Sequence, residues 1–177
     1  GVGPSKELTV SNLSTTGDAI RFINEGSNNI VRFCTLAGVS TSTADGVVLF
    51  STTTGLNGND NNLIDNCDIR DGASKPANGI FSSGSTTFTP SSFNSNNTIS
   101  NCNIFNFSGS TTWGINLSSG NTDWTITGNS LYQTASTTVS GTFGGIQVSS
   151  TTSGPFTISN NFIGGTAPNC GGTALTL

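Results

Sequence analysis

Apolar residues return along this chain in a two-part motif, and five copies are legible. The second part is Val31-x-x-Cys34-x-Leu36, then Ile64-x-x-Cys67-x-Ile69, Ile99-x-x-Cys102-x-Ile104, Ile126-x-x-Asn129-x-Leu131 and Ile158-x-x-Asn161-x-Ile163. The first part is a small residue followed by an alternating strand: Ala19-Ile20-Arg21-Phe22, Gly46-Val47-Val48-Leu49, Gly79-Ile80-Phe81, Gly114-Ile115-Asn116-Leu117 and Gly145-Ile146-Gln147-Val148. A sixth copy is expected to begin at Gly172-Thr173-Ala174-Leu175. Self-similarity at this period predicts stacked rungs that bury their apolar positions against one another.

The spacing says what kind of rung. Steps between first-part anchors are 27 residues (20 to 47), 33 (47 to 80), 35 (80 to 115), 31 (115 to 146) and 27 (146 to 173). Helix pairs, which must pack face to face, tolerate such drift poorly, whereas a β-coil loops its insertions outward at the corners. Within the second part the spacing never changes, while the stretch between parts runs from 11 residues (20 to 31) to 19 (80 to 99). Strict alternation would place inward residues at +2 and +4, but here they fall at +3 and +5. One extra residue therefore turns a corner between two short strands. Asn66, Asn101, Gly128 and Asn160 occupy it, residue types that enter the left-handed region cheaply. Phe33 in the first copy is the exception.

The Gly-Ile-x-Leu strands, the asparagine corners (clearest in Ile99-Ser100-Asn101-Cys102-Asn103-Ile104) and the stacked inward positions resemble the pectate-lyase-like superfamily. The likeness is greatest to repeat units of large bacterial surface proteins, and it covers roughly residues 8 to 177. It implies an all-β chain: a right-handed parallel β-helix (solenoid) of about five rungs. Residues 1–18 would be a partial rung, and residues 19–177 the β-helix, with rungs starting near 20, 47, 80, 115, 146 and 173. Neither end carries a charged or helical cap, so the chain reads as an excerpt of a longer stack, with a self-capping or end-to-end polymerising unit as the alternative. The superfamily contains lyases, hydrolases, phage spikes and adhesins, so the fold names no activity.

Composition changes the picture in one respect. With 54 Ser plus Thr, 22 Asn and 8% charged residues the chain is polar enough to suggest disorder, and only the periodic apolar positions argue for a core. Net charge is −4, and beyond Lys75 the single charged side chain is Asp123. Five Lys and Arg residues cannot form the basic surface that nucleic acid requires, so no nucleic-acid partner is expected. No apolar run approaches the ~20 residues of a spanning helix, so no membrane insertion is expected either. Residues 1–4 open without the basic and apolar regions of a signal peptide. Asp60, Asp65, Asp68 and Asp71 are the candidate calcium ligands. Arg70 interrupts them, however, and Arg32 sits one rung before Asp65, which points to a surface ion pair.

Three of the four cysteines, Cys34, Cys67 and Cys102, hold the same inward position and should stack about 4.8 Å apart. Asn129 and Asn161 continue the lane, giving a structural ladder of small buried side chains. Parallel thiols point the same way, which opposes a disulfide torsion, so the main reading is an inert, reduced ladder, with one disulfide as the alternative. Cys170 has no lane partner. A zinc site lacks histidine ligands, and no metal or other cofactor is expected.

Without histidine no Ser-His-Asp or Cys-His arrangement can form. The superfamily resemblance implies catalysis by carboxylates on an outward strand face. The outward positions here read Arg21, Val48, Phe81, Asn116, Gln147 and Ala174, with no acid–base pair, so no catalytic residue is assigned. Phe105 and Tyr132 share an outward position, completed by Ala37, Arg70 and Gly164, and stacked aromatics there would make a platform for sugar rings. The competing reading is that connections fold over them, with Phe107, Trp113 and Trp124 in a satellite cluster. The chain is thus expected to be a non-catalytic structural segment of a secreted or cell-surface β-helix stalk or adhesin, located extracellularly. Its expected partners are surface polysaccharide or neighbouring copies of itself. The alternatives are a non-catalytic portion of a polysaccharide lyase or hydrolase, and a carbohydrate-binding β-helix.

Overall fold

The computed structural model describes residues 5–52, 54–151 and 154–177. After β1 (Leu8–Ser11), the chain repeats a turn built of three short strands, with a fourth added in the third and fourth turns. The first turn is β2 (Ile20–Phe22), β3 (Ile30–Arg32) and β4 (Cys34–Gly38), and the second β5 (Val48–Phe50), β6 (Leu63–Asp65) and β7 (Asp68–Asp71). The third is β8 (Asn78–Ser82), β9 (Asn94–Ser95), β10 (Thr98–Ser100) and β11 (Asn103–Phe105). The fourth is β12 (Thr111–Leu117), β13 (Asn121–Thr122), β14 (Thr125–Thr127) and β15 (Ser130–Tyr132). Last come β16 (Thr142–Val148), β17 (Thr157–Ser159) and β18 (Phe162–Ile163). Equivalent strands pair in parallel one turn apart, in the orders β1-β4-β7-β11-β15-β18, β17-β14-β10-β6-β3, β16-β12-β8-β5-β2 and β13-β9. The molecule is a right-handed parallel β-solenoid of a few rungs.

Register follows the motif. Val31, Ile64, Ile99, Ile126 and Ile158 are successive partners in one lane. The middle three are fully buried, each contributing on the order of 2 kcal/mol of hydrophobic stabilisation. Ile158 is 47% exposed because no described strand stacks beyond β17. The corner residues all take left-handed backbone, with φ of 54° at Phe33, 51° at Asn66, 51° at Asn101, 68° at Gly128 and 55° at Asn160. Phe33 therefore obeys the corner despite its side chain, and the Arg32 guanidinium lies 4.8 Å over its ring.

Two expectations are corrected. Ile20 pairs with Val48, not Val47, and Val48 pairs with Ile80, so the second rung is displaced by one residue from the sequence alignment. Val47 and Val48 are both fully buried, as two consecutive inward residues at a bend. Ala19, Val47, Gly79, Gly114 and Gly145 then share one lane, which is small everywhere except at Val47. A Cβ on Gly79 would lie 2.5 Å from Ile104, and one on Gly114 would lie 2.4 Å from Leu131. Glycine heads these strands because the neighbouring sheet passes too close for a methyl group. The expected sixth copy forms no strand. Gly164 (φ 121°) and Gly165 (φ 74°) turn the chain out of β18. An isolated antiparallel bridge joins Ala167 to Gly171, and residues 174–177 carry no strand.

The interior carries polar ladders as well as apolar lanes. Asn29, Asn62 and Asn97, two residues before the isoleucine lane, link rung to rung. Asn62 Oδ1 accepts the backbone N–H of Asn29 at 3.0 Å, and Asn97 Oδ1 accepts that of Asn62 at 2.9 Å. Asn62 Nδ2 donates to Gly26 O, and Asn97 Nδ2 to Asn59 O. Five residues before the lane, Asn59 Oδ1 accepts Gly26 N–H and Asn94 Oδ1 accepts Asn59 N–H. At these bends the amide cannot reach a strand partner, so a side chain substitutes for one, as a buried N–H requires. Aromatic rings also pack in the core, with Phe22 stacked on Phe50 at 4.4 Å and Trp124 edge-on to Phe50 at 4.8 Å.

Candidate functional site

The cysteine–asparagine lane follows directly on the left-handed corner: Cys34 opens β4, and Cys67, Cys102, Asn129 and Asn161 immediately precede β7, β11, β15 and β18. Cys34, Cys67 and Cys102 are buried and unbridged, as is Asn129, while Asn161 is half-buried. Cys34 Sγ lies 3.5 Å from Cys67 Sγ. Cys67 N–H points at Cys102 Sγ (3.4 Å), Cys102 N–H at Asn129 Oδ1 (2.9 Å) and Asn129 N–H at Asn161 Oδ1 (3.0 Å). The thiols thus take the place that asparagine holds elsewhere: an acceptor for the preceding rung's amide. Cys67 is the thiol from which a proton leaves most readily, because Cys102 and Cys34 can both donate to its sulfur, whereas burial raises Cys34 and Cys102. Cys170 is exposed.

Phe105 and Tyr132 are brought together as the spacing implied. They are register partners, with ring centroids 4.9 Å apart and planes 11° apart. Tyr132 is only 7% exposed, and Phe105 is half-buried. The segment after β18 returns across this region: Asn169 N–H donates to Ser130 Oγ at 3.0 Å, and Thr137 N–H to Thr176 O at 3.3 Å. Tyr132, Phe143, Ile163, Leu175 and Leu177 enclose an apolar recess of about 260 Å³. Burial, with the Asp68 carboxylate nearby, pushes the Tyr132 phenol up to about 12. Of the residues expected in a satellite cluster, Phe107 and Trp124 belong instead to the main core, and Trp113 is half-buried on β12.

The four aspartates are spread along the outside and individually satisfied. Asp60 accepts from Ser95, Asp65 from Asn66, Ser100 and Asn101, Asp68 from Lys6 and Asn103, and Asp71 from Asn106. Arg32 and Asp65 are register partners, but the expected ion pair is replaced: the guanidinium lies over Phe33. The ion pairs among the described residues are Lys6–Asp68 at 2.5 Å and Arg21–Asp18 at 2.6 Å. No three His, Cys, Asp or Glu side chains among the described residues converge as a metal-binding group.

The outward lane of the β8 sheet, corrected for register, reads Arg21, Leu49, Phe81, Asn116 and Gln147. Val48 points into the core instead. Asp18, which the sequence reading overlooked, flanks this lane. Burial raises its pKa, against the opposing pull of Arg21. On β12, Asn116 Oδ1 and Trp113 Nε1 are buried and have no hydrogen-bond partner among the described residues. The Trp113 ring covers Gly144, where a Cβ would lie 2.1 Å from it.

No helix among the described residues is long and apolar enough to cross a membrane. No family model, curated protein or solved structure matches the chain, so the site must be read from its own geometry.

Proposed function

We propose that this chain is a structural segment of a secreted or cell-surface β-solenoid stalk or adhesin of the pectate-lyase-like kind, non-catalytic in itself. The observation that carries the reading is the continuity of the interior. Matched apolar lanes run along the stack, and asparagine and cysteine ladders tie the corners of adjacent rungs. Such a column resists bending and leaves few amides for a protease, while an outer surface rich in Ser, Thr and Asn suits an extracellular rod.

Antibody raised to the chain should label intact source cells or the culture medium. Labelling only after permeabilisation would overturn the placement. The purified chain should leave pectin-like and other acidic polysaccharides uncleaved, with or without calcium. Cleavage that disappears when Asp60, Asp65, Asp68 or Asp71 is replaced would overturn the non-catalytic reading.

Contact with a surface polysaccharide is the second reading. The flat, half-buried Trp113 ring on β12 favours it. Glycan-array binding that is lost in Trp113→Ala tests it.

A further inference from the structure

Cys34 and Cys67 approach more closely than their backbones require. Adjacent strands in a sheet lie about 4.8 Å apart, yet the two sulfurs are 3.5 Å apart, so the Cβ–Sγ bonds lean towards each other. Cys67 and Cys102 make matching contacts to backbone: Cys67 Sγ faces Asp65 O (3.4 Å) and Val31 O (3.6 Å), and Cys102 Sγ faces Ser100 O (3.1 Å) and Ile64 O (3.7 Å). Cys102 Sγ also accepts the Cys67 amide at 3.4 Å, so it meets the next rung through backbone, whereas Cys34 and Cys67 meet sulfur to sulfur. Access is also uneven. Cys34 lines a recess of about 370 Å³ at the first-rung end of the coil, beside Leu8, Val10, Ile30 and Arg32, whereas Cys67 is fully buried behind it.

We propose that Cys34 and Cys67 form an inter-rung disulfide on exposure to a small-molecule disulfide, with Cys34 as the attacking thiol and Cys67 as the resolving one. The Cys34 thiolate attacks one sulfur of the oxidant RSSR, whose S–S bond breaks and releases one RS⁻. The Cys67 thiolate then attacks Cys34 Sγ in the mixed disulfide and displaces the second RS⁻. Two protein thiols lose two electrons and two protons, and RSSR becomes two RSH. Geometry permits the product: a strand separation of about 4.8 Å lies within the Cα range of disulfides, and the sulfurs need close only to about 2.05 Å. Burial raises the Cys34 thiol to about 12, which slows the first step. Its neighbours ease deprotonation of Cys67, which speeds the second, so the mixed disulfide does not accumulate. The staple joins the first and second turns and leaves Cys102 reduced.

The test equilibrates the Cys170→Ser protein in glutathione buffers of increasing oxidised fraction. Acid quenching, alkylation under denaturing conditions and peptide mapping follow. Alkylatable lane thiols should fall from three to one, with Cys34 linked to Cys67. In the same background, Cys67→Ser should trap one glutathione on Cys34, and Cys102→Ser should keep the link. Three free thiols in fully oxidised glutathione, or a Cys67–Cys102 link, would overturn the proposal whatever the variants show. Glutathione trapped on Cys102 rather than Cys34 in Cys67→Ser would overturn the assigned order of attack.

Discussion

At the scale of single residues, the asparagines inside the coil act as backbone surrogates. Asn62 is the fullest case: its Oδ1 accepts from Asn29 N–H and Nδ2, while its Nδ2 donates to Gly26 O and Asn97 Oδ1. Asn62→Ala should cost about 2–3 kcal/mol in urea unfolding, since it strands several groups at once. Asn62→Asp should cost more, because a carboxylate would meet the Asn97 acceptor at a fully buried position. Asp65 gives a pH signature. Burial disfavours its ionisation, but hydrogen bonds from Asn66, Asn101 and Ser100, with Arg32 nearby, outweigh that and hold its pKa below the usual carboxylate value. A folded pKa below the unfolded one adds stability above the unfolded value of about 3.9, and that stability is lost as pH falls through the folded pKa. Asp65→Asn should therefore flatten the acid limb of a stability–pH curve below about pH 4. The effect should be small, since the group remains partly in water. The cysteine lane was legible from spacing alone. The Asn29–Asn62–Asn97 ladder was equally visible two residues before the first three anchors, but polar residues there read as loop until the backbone shows which amides need them.

At the scale of the element, the corner imposes its conformation on whatever residue arrives. Four of the five corners carry Asn or Gly, and the fifth holds Phe33 at φ 54°. For a residue other than glycine this region costs about 1–2 kcal/mol, and asparagine pays less than phenylalanine. Phe33→Asn should accordingly raise the urea midpoint by about 1 kcal/mol in stability with an unchanged m-value. A loss of stability would show that stacking under Arg32 outweighs the backbone strain. The same element explains where the sequence misled. The second part of the motif has no insertion between anchor and corner, so its register could be read directly. Ahead of β5 the backbone bends between Val47 and Val48 and turns both side chains inward, and an alignment built on strict alternation slips by one. The slip moved Val48 to the outside on paper and hid Leu49, which occupies the outward lane. The fate of Gly172-Thr173-Ala174-Leu175 was also illegible. Its pattern fits a strand, but Gly164 and Gly165 have already turned the chain away.

At the scale of the whole molecule, stability should vary along the axis, because every rung packs chiefly on its immediate neighbours. The middle lanes are sealed on both sides, with Ile64, Ile69, Ile99, Ile104 and Ile126 fully buried. At one end Leu8, stacked on Cys34, is 54% exposed, and at the other Ile158 and Ile163, in the lanes of Ile126 and Leu131, are 47% and 55% exposed. The same side-chain types in the same lanes therefore contribute unequally, according to whether a rung lies on both sides. Opening an end rung exposes little apolar surface beyond what is already wet. Opening a central rung breaks two interfaces and severs the ladders at Asn62 and Asn97. Amide hydrogen exchange reads this difference directly, since each amide reports the cheapest opening that frees it. Amides of β6, β10 and β14 should exchange at least about a hundredfold more slowly than those of β2, β3, β17 and β18, a gap of about 2.8 kcal/mol in opening free energy. Uniform protection from β2 to β18 would mean that the stack opens only as one unit, and that the ends are held by contacts other than the lanes.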